Sequence, residues 1–163
     1  MKTILTLLMF ALILPLHAQE HRHRLGAGAN YWVPLNDLAR DIDDDGFSYF
    51  ISYQSRPDLI GWDLSVEFLP DRFGEDAIAP QFHFILGRGI YAAAGAGWMH
   101  RDGSFADDPF YSLRVGLNFQ VLPGLFLDIF GNYRFNDETD LKDEDTKLDT
   151  DTVFLGAALR ISL

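Results

Sequence analysis

The chain has 163 residues, with 24 acidic and 13 basic side chains, a formal net charge of −11 and no cysteine. This length suits a single domain. An acidic chain with a pI near 4.6 lacks the excess of basic residues that would neutralise the many phosphates of a nucleic-acid backbone, so nucleic-acid binding is excluded as a function. The lack of cysteine excludes disulfides, thiolate metal sites and a cysteine nucleophile.

The first residues have the three parts of a secretory signal peptide. Lys2 gives a positive start, residues 4–16 are mostly apolar, and Ala18 supplies a small residue before a polar stretch. The apolar run is too short for a helix that spans a bilayer. We therefore predict that residues 1–18 are a cleaved signal peptide and that residues 19–163 form the exported domain.

After the signal peptide, apolar and polar residues alternate with a period of two. Eight segments each have one face that is clearly more apolar than the other, and this pattern predicts β-strands. The predicted strands are residues 24–33, 47–54, 62–68, 78–86, 90–99, 111–120, 125–135 and 153–163. The fifth strand is ambiguous, because its two faces are similarly apolar and both contain small residues.

Short and long connections alternate between these strands. The short connections contain Pro or Gly in turn positions, and they lie at residues 56–58, 87–89 and 122–124. The long connections are residues 34–46, 70–77, 101–109 and 136–151. An even number of antiparallel strands, with short turns at one end and long loops at the other, predicts an up-and-down barrel.

The apolar face carries no charged residue in any of the eight segments, whereas the other face is mainly Gly, Ser, Asn, Gln and Ala. A soluble ligand-carrying barrel shows the same alternation, but its outward polar face is rich in charge. An uncharged apolar surface around a whole barrel aggregates in water, yet it suits a bilayer. The predicted fold is therefore all-β, an eight-stranded antiparallel up-and-down transmembrane β-barrel.

A small, balanced set of ionisable residues lies on the polar face. We predict that this set forms an interior network in which three arginines pair with three carboxylates, because an unpaired buried charge is costly. Its members are Asp63, Glu67, His83, Arg114, Asp128, Arg134 and Arg160. Eight strands leave an interior only wide enough for side chains, and we expect Trp32, Phe50 and Phe130 to help fill it.

Over residues 25–163 the chain resembles the small eight-stranded outer-membrane proteins, the group that contains the OmpA transmembrane domain, OmpX and OmpW. The last strand looks like the C-terminal insertion signal of that group, although Leu163 stands where Phe or Trp is usual. The resemblance implies a monomer in the outer membrane of a Gram-negative bacterium. It also implies contact with outer-membrane lipids and lipopolysaccharide, and insertion by the barrel-assembly machinery.

The long connections are strongly acidic, with 19 acidic and 5 basic residues. In the first of them, Asp41, Asp43 and Asp45 alternate before Gly46, as in the front half of an EF-hand loop. The closing Glu is missing, because Ser52 stands at the twelfth position. The pattern predicts a loose Ca²⁺ or Mg²⁺ site, or acidic residues that only keep the loops soluble. No other cofactor is predicted.

The predicted function is a structural or envelope-integrity role, or binding at the cell surface, without a wide pore. One alternative is a narrow channel for small or hydrophobic solutes, as the resemblance to OmpW implies. A second alternative is a lipid A-modifying enzyme, for which the resemblance implies a histidine near a serine. Ile85 stands two residues after His83, and Ser104 is four residues from His100, so no enzyme is predicted.

Overall fold

The computed structural model describes the backbone of most of the chain, and the predicted signal peptide lies outside the described residues. The described residues are 23–35, 45–72, 75–101, 103–135, 138–140, 147–149 and 151–163. The eight long strands in them are β1 (His23–Pro34), β2 (Gly46–Ser55), β3 (Ile60–Arg72), β4 (Glu75–Gly87), β5 (Ile90–Gly97), β8 (Phe110–Leu122), β9 (Leu125–Phe135) and β12 (Thr152–Ser162). Four short strands are β6 (His100–Arg101), β7 (Ser104–Phe105), β10 (Glu138–Asp140) and β11 (Lys147–Asp149). Across these ranges, we find no helix long and apolar enough to cross a membrane.

The eight long strands of the described chain form one closed antiparallel ring. Each pairs with the long strand that follows it in sequence, and β1 pairs with β12 to close the ring. The closing register runs from Arg24 opposite Ser162 to Pro34 opposite Thr152. This order confirms the predicted eight-stranded up-and-down barrel.

The predicted long connection at residues 70–77 is wrong. Strands β3 and β4 continue through it, so that Leu69 pairs with Ala77 and Arg72 pairs with Glu75. The register shifts between Leu69 and Arg72, where Pro70 has no N–H to donate to the ladder. An irregularity at this point lets the two strands remain paired past the proline. Two other long connections contain hairpins, β6–β7 and β10–β11.

The two faces of the sheet have opposite chemistry, as the alternating pattern predicts. In the ambiguous fifth strand, Tyr91 and Ala93 face inward with 3% and 7% exposure, whereas Ile90 is 79% exposed. The outer face is an apolar surface, formed among others by Leu25, Ile51, Leu64, Phe84, Val115, Leu117, Ile129, Leu155, Leu159 and Ile161. Such a surface would be unstable in water and is suited to a bilayer.

Aromatic side chains pair on the outside of the barrel near both of its ends. At the end of the long connections, the rings of Tyr31 and Phe47 lie 5.3 Å apart between centroids. At the end of the short turns, the rings of Tyr53 and Trp62 lie 5.4 Å apart. Amphipathic rings at two levels match the two interfaces of a membrane, between which the apolar band would lie.

A charge placed at mid-height on the outer face should destabilise the barrel. In Val115→Arg, the 66% exposed side chain is replaced halfway along β8, where arginine costs about 2–4 kcal/mol at the middle of a bilayer. Unfolding in denaturant would be followed in phospholipid vesicles, with folded protein identified by faster migration of unboiled samples on a denaturing gel. Leu25→Arg, near the end of β1, is the control and should cost about 1 kcal/mol or less. Equal losses in the two variants would contradict a bilayer around this face.

Candidate functional site

The inner face of the barrel contains every residue of the predicted ionisable network. Exposure is 6% for Arg114, 1% for Arg134 and 0% for the other members, which are Asp63, Glu67, His83, Asp128 and Arg160. Period-two alternation brings them inward, because each lies on the polar face of its strand. The closed ring then brings side chains from non-adjacent strands together across the interior.

Glu67 is the centre of a cluster nearer to the long connections. Its Oε1 accepts hydrogen bonds from Asn30 Nδ2, at 2.6 Å, and from Ser48 Oγ. Its Oε2 accepts from Gln81 Nε2, at 2.8 Å, and forms an ion pair with Arg134. These residues come from five strands, so a single carboxylate joins much of the circumference of the barrel.

Arg160 is the centre of a second cluster, nearer to the short turns. Its Nη1 lies 3.0 Å from Asp63 Oδ2, and its Nε lies 3.0 Å from Asp128 Oδ2. Nη1 also donates to Ser52 Oγ at 2.6 Å. The side chain has room because position 26 is glycine, where a Cβ would lie 2.8 Å from Arg160 Cγ. One guanidinium thus separates two buried carboxylates.

His83 forms a hydrogen bond that the sequence patterns did not reveal. Its Nε2 lies 2.8 Å from Ser112 Oγ, and the two residues are only 0% and 1% exposed. Ser112 is on β8 and His83 is on β4, with Gly95 of β5 between them in the ladder. A Cβ at Gly95 would lie 2.6 Å from the imidazole Cδ2, so glycine is required for this approach. The pair is enclosed in the barrel wall and does not face the lipid side.

The predicted ion pair of Arg114 is wrong. In the described part of the chain no carboxylate lies within ion-pair distance of it, and its Cζ lies 4.3 Å from the centroid of the Phe130 ring. The physical reason is that Arg134 and Arg160 already bind the three buried carboxylates. A cation over an aromatic face is a weaker interaction than a buried ion pair.

Arg24 is also part of the inner face, although the predicted ionisable network did not include it. It is 8% exposed, and its Nη1 donates to Asn118 Oδ1 at 2.9 Å. Its Cζ lies 3.6 Å from the centroid of the Phe126 ring. The signal was present, because Arg24 has the same period-two parity as the inward positions Gly26 and Asn30.

Arg56 is the second interior residue that was missed, because it was counted as part of a short turn. It is 5% exposed, and its Nε and Nη2 donate to the carbonyl oxygen of Gly87 at 3.3 and 2.8 Å. Its Cζ lies 4.7 Å from the centroid of the Tyr91 ring. Arg56 lies two residues after Gln54 and four after Ser52, both of which face inward, so the same alternation places it inside.

The candidate metal site falls largely outside the described residues. Asp41 and Asp43 are not described, whereas Asp45 accepts a hydrogen bond from Tyr31 Oη at 2.7 Å. At a neighbouring position on this end, Asp151 accepts from Tyr133 Oη at 2.6 Å. The described ranges contain no group of three or more side chains that could hold a metal ion.

Comparison with known proteins supports an eight-stranded up-and-down β-barrel as the class of this chain. No family model and no curated protein matches the sequence. Among solved structures, Neisserial surface protein A (NspA) matches with a TM-score of 0.60 at 15% identity, over 86% of this chain and 97% of that one. The Yersinia pestis outer membrane protein Ail, in a phospholipid bilayer nanodisc, matches with a TM-score of 0.42 at 16% identity, over 85% of this chain and 99% of that one. At these identities the likeness to NspA concerns the fold alone.

Removing the arginine of the second cluster should cost far more than removing one of its carboxylates. Arg160→Met leaves Asp63 and Asp128 buried without a cation, and we expect it to lower the free energy of unfolding by about 3–5 kcal/mol. Asp63→Asn leaves the contact between Arg160 and Asp128 in place, so its cost should be less than half as large. Denaturant titration of the protein folded in vesicles measures both. Similar small losses in the two variants would show that water, rather than Arg160, neutralises these carboxylates.

Proposed function

We propose that this chain is an integral outer-membrane protein of a Gram-negative bacterium, exported with the help of residues 1–18. The proposal rests on the uncharged apolar exterior between two levels of aromatic side chains. The fold shared with NspA supports it. We propose a monomer in contact with outer-membrane lipids, inserted by the barrel-assembly machinery, because each of the eight long strands in the described ranges is paired on both sides.

We further propose that the protein acts through its acidic loop end, in envelope integrity or surface binding, and not as a wide pore. The observation that carries this is the filled interior, in which ion pairs and aromatic rings from opposite walls meet across the barrel. Eight strands enclose only enough space for such side chains. The three remaining long connections, residues 34–46, 101–109 and 136–151, have a net charge of −12 and are then the part of the chain available for binding outside the barrel.

The acidic end would bind divalent cations and bridge them to the phosphates of lipopolysaccharide. Asp45 and Asp151 support this proposal, because tyrosine hydroxyls hold both carboxylates at the top of the barrel. Asp41 and Asp43 would complete a loose Ca²⁺ or Mg²⁺ site with Asp45, since alternating carboxylates supply the oxygen ligands that these ions prefer. We assign no enzyme activity, because the pair of His83 and Ser112 is closed to lipid substrates.

The first loop should bind Ca²⁺ more tightly than another loop segment with the same number of carboxylates. We expect Ca²⁺ to bind the folded protein with a Kd of about 10⁻⁴–10⁻³ M, as in weak extracellular sites. Replacing Asp41, Asp43 and Asp45 by Asn should abolish this binding in titration calorimetry. The matched control neutralises Asp143, Glu144 and Asp145 and should retain the site. Equal weakening of Ca²⁺ binding in both triple variants would mean that the overall negative charge attracts the ion and that the first loop forms no specific site.

The same variants test the integrity role in cells. In the protein's own host, the variant lacking the first-loop carboxylates should admit more of a large hydrophobic dye than the control variant does. The reason is that fewer cation bridges would hold lipopolysaccharide around the barrel. A dye permeability equal to that of the unaltered strain would contradict the integrity role and would favour surface binding.

A narrow channel is the second candidate function, and the interior polar atoms favour it. Among the described residues, buried atoms without a hydrogen-bond partner include Ser65 Oγ, His83 Nδ1 and Asn132 Oδ1, and water could hydrate such a path. The unaltered protein should show no sustained conductance in a planar bilayer, whereas the double variant Glu67→Ala with Arg134→Ala should conduct. The reason is that the ion pair between Glu67 and Arg134 no longer crosses the interior in this variant. Sustained conductance by the unaltered protein, equal to that of the variant, would favour the channel.

A further inference from the structure

The inner face of the barrel carries more positive than negative charge. Among the described residues, five arginines but only three carboxylates are buried. Each of these carboxylates forms an ion pair with Arg134 or Arg160. In this part of the chain, Arg24, Arg56 and Arg114 are therefore left without a carboxylate partner. Buried charge without a counter-charge is strongly unfavourable, so a source of negative charge is missing.

Two of these arginines are neighbours at the end of the barrel where the short turns lie. Arg24 is opposite Gln54 in the pairing of β1 with β2, and Arg56 lies two residues after Gln54 on the same face. Diagonal neighbours of this kind have Cα atoms about 7–8 Å apart. The charge of Arg56 opposes that of Arg24, and the carboxylate of Asp128, which is paired with Arg160, attracts both guanidinium groups.

Both side chains extend across the mouth of the barrel and are held there. Arg24 reaches Asn118 on β8, which is not adjacent to β1. Arg56 reaches the backbone carbonyl oxygens of Gly87 and Arg88, in the turn between β4 and β5. The guanidinium groups are thus fixed by the fold, which reduces the entropy lost when a ligand binds them.

Among the described residues, three buried donors at this mouth have no hydrogen-bond partner, and they are Arg24 Nε, Arg56 Nη1 and Asn118 Nδ2. One neighbouring acceptor, Gln54 Oε1, also has none in this part of the chain. The aromatic rings of Phe126 and Tyr91 cover the flat faces of the two guanidinium groups, so that only their edges are available. Three buried donors beside two guanidinium groups outnumber this acceptor, and they favour a ligand that accepts hydrogen bonds and carries negative charge.

We propose that Arg24, Arg56 and Asn118 form a binding site for a small oxyanion of the phosphate class. Guanidinium edges present paired N–H donors that match the oxygens of phosphate, and the bound anion would supply the missing charge. The same chemistry could come from free phosphate or from the headgroup of an anionic phospholipid, because this mouth lies near one membrane surface. Arg88, on the neighbouring turn, is 71% exposed and already paired with Asp58, so it is not part of the site.

Titration calorimetry of inorganic phosphate into the folded protein, in phosphatidylcholine nanodiscs, tests the proposal. Arg24→Gln and Arg56→Gln should each weaken binding by about tenfold or more, because each removes a charged donor. The matched control Arg88→Gln removes an equal charge at the same end and should bind as the unaltered protein does. An equal loss in all three variants, or no binding to the unaltered protein, would overturn the site.

Asn118→Asp gives a readout that does not depend on weakening the fold. It keeps the oxygen that accepts from Arg24 and replaces the free amide by a carboxylate oxygen, which supplies the counter-charge within the chain. We expect a higher unfolding temperature without phosphate, and no further rise when phosphate is added. The unaltered protein should instead become more stable as phosphate is added. A variant that is no more stable than the unaltered protein and still binds phosphate would refute the proposal.

Two further measurements identify the source of the charge. If phosphatidylglycerol in the nanodiscs lowers the apparent affinity for phosphate, a lipid headgroup occupies the site, whereas an unchanged affinity assigns it to the free anion. Glu20 lies four residues before Arg24 in the sequence. If phosphate binds only to the Glu20→Gln protein, Glu20 is the counter-charge and the proposal fails.

Discussion

The pairing of β1 with β12 is the contact on which the rest of this structure depends. It joins the two ends of the described chain in one ladder and leaves no long strand of the ring with an unpaired edge. In a bilayer, where no water is available to satisfy backbone groups, closure is the condition for crossing with strands. Closure also creates an inside and an outside, so the same alternation separates apolar from polar chemistry.

The closed interior then imposes a second constraint, which is that buried charges must find partners in a narrow space. Arg160 forms ion pairs with two carboxylates and Glu67 forms one with Arg134, while neighbouring amides and hydroxyls add hydrogen bonds. This arrangement holds opposite walls together and leaves little room for a pore. Arg24 and Arg56 are buried without an ion pair in the described part of the chain. They are positions where positive charge inside the barrel is not neutralised by a carboxylate of its own.

The two ends of the barrel differ in charge, and this difference connects the fold with the proposed functions. The long connections are acidic, and tyrosine hydroxyls bind Asp45 and Asp151 at the top of the strands. The opposite mouth is lined by buried arginines. We therefore propose cations as ligands at one end and an oxyanion at the other. The rigid, filled wall between them keeps the two ends apart.

The strands and their two faces could be predicted from the sequence, because alternation with a period of two is a local property of each segment. The same alternation predicts an inward side chain for Arg24, within the first predicted strand, and for Arg56, if the second strand is extended by two residues. Three features became visible only in the folded structure. They are the hydrogen bond between Ser112 and His83, the position of Arg114 over Phe130 instead of beside a carboxylate, and the pairing of β3 with β4 past Pro70. These contacts join strands that are distant along the ring or depend on local register. They follow from how the closed sheet is staggered, a quantity that no single segment encodes.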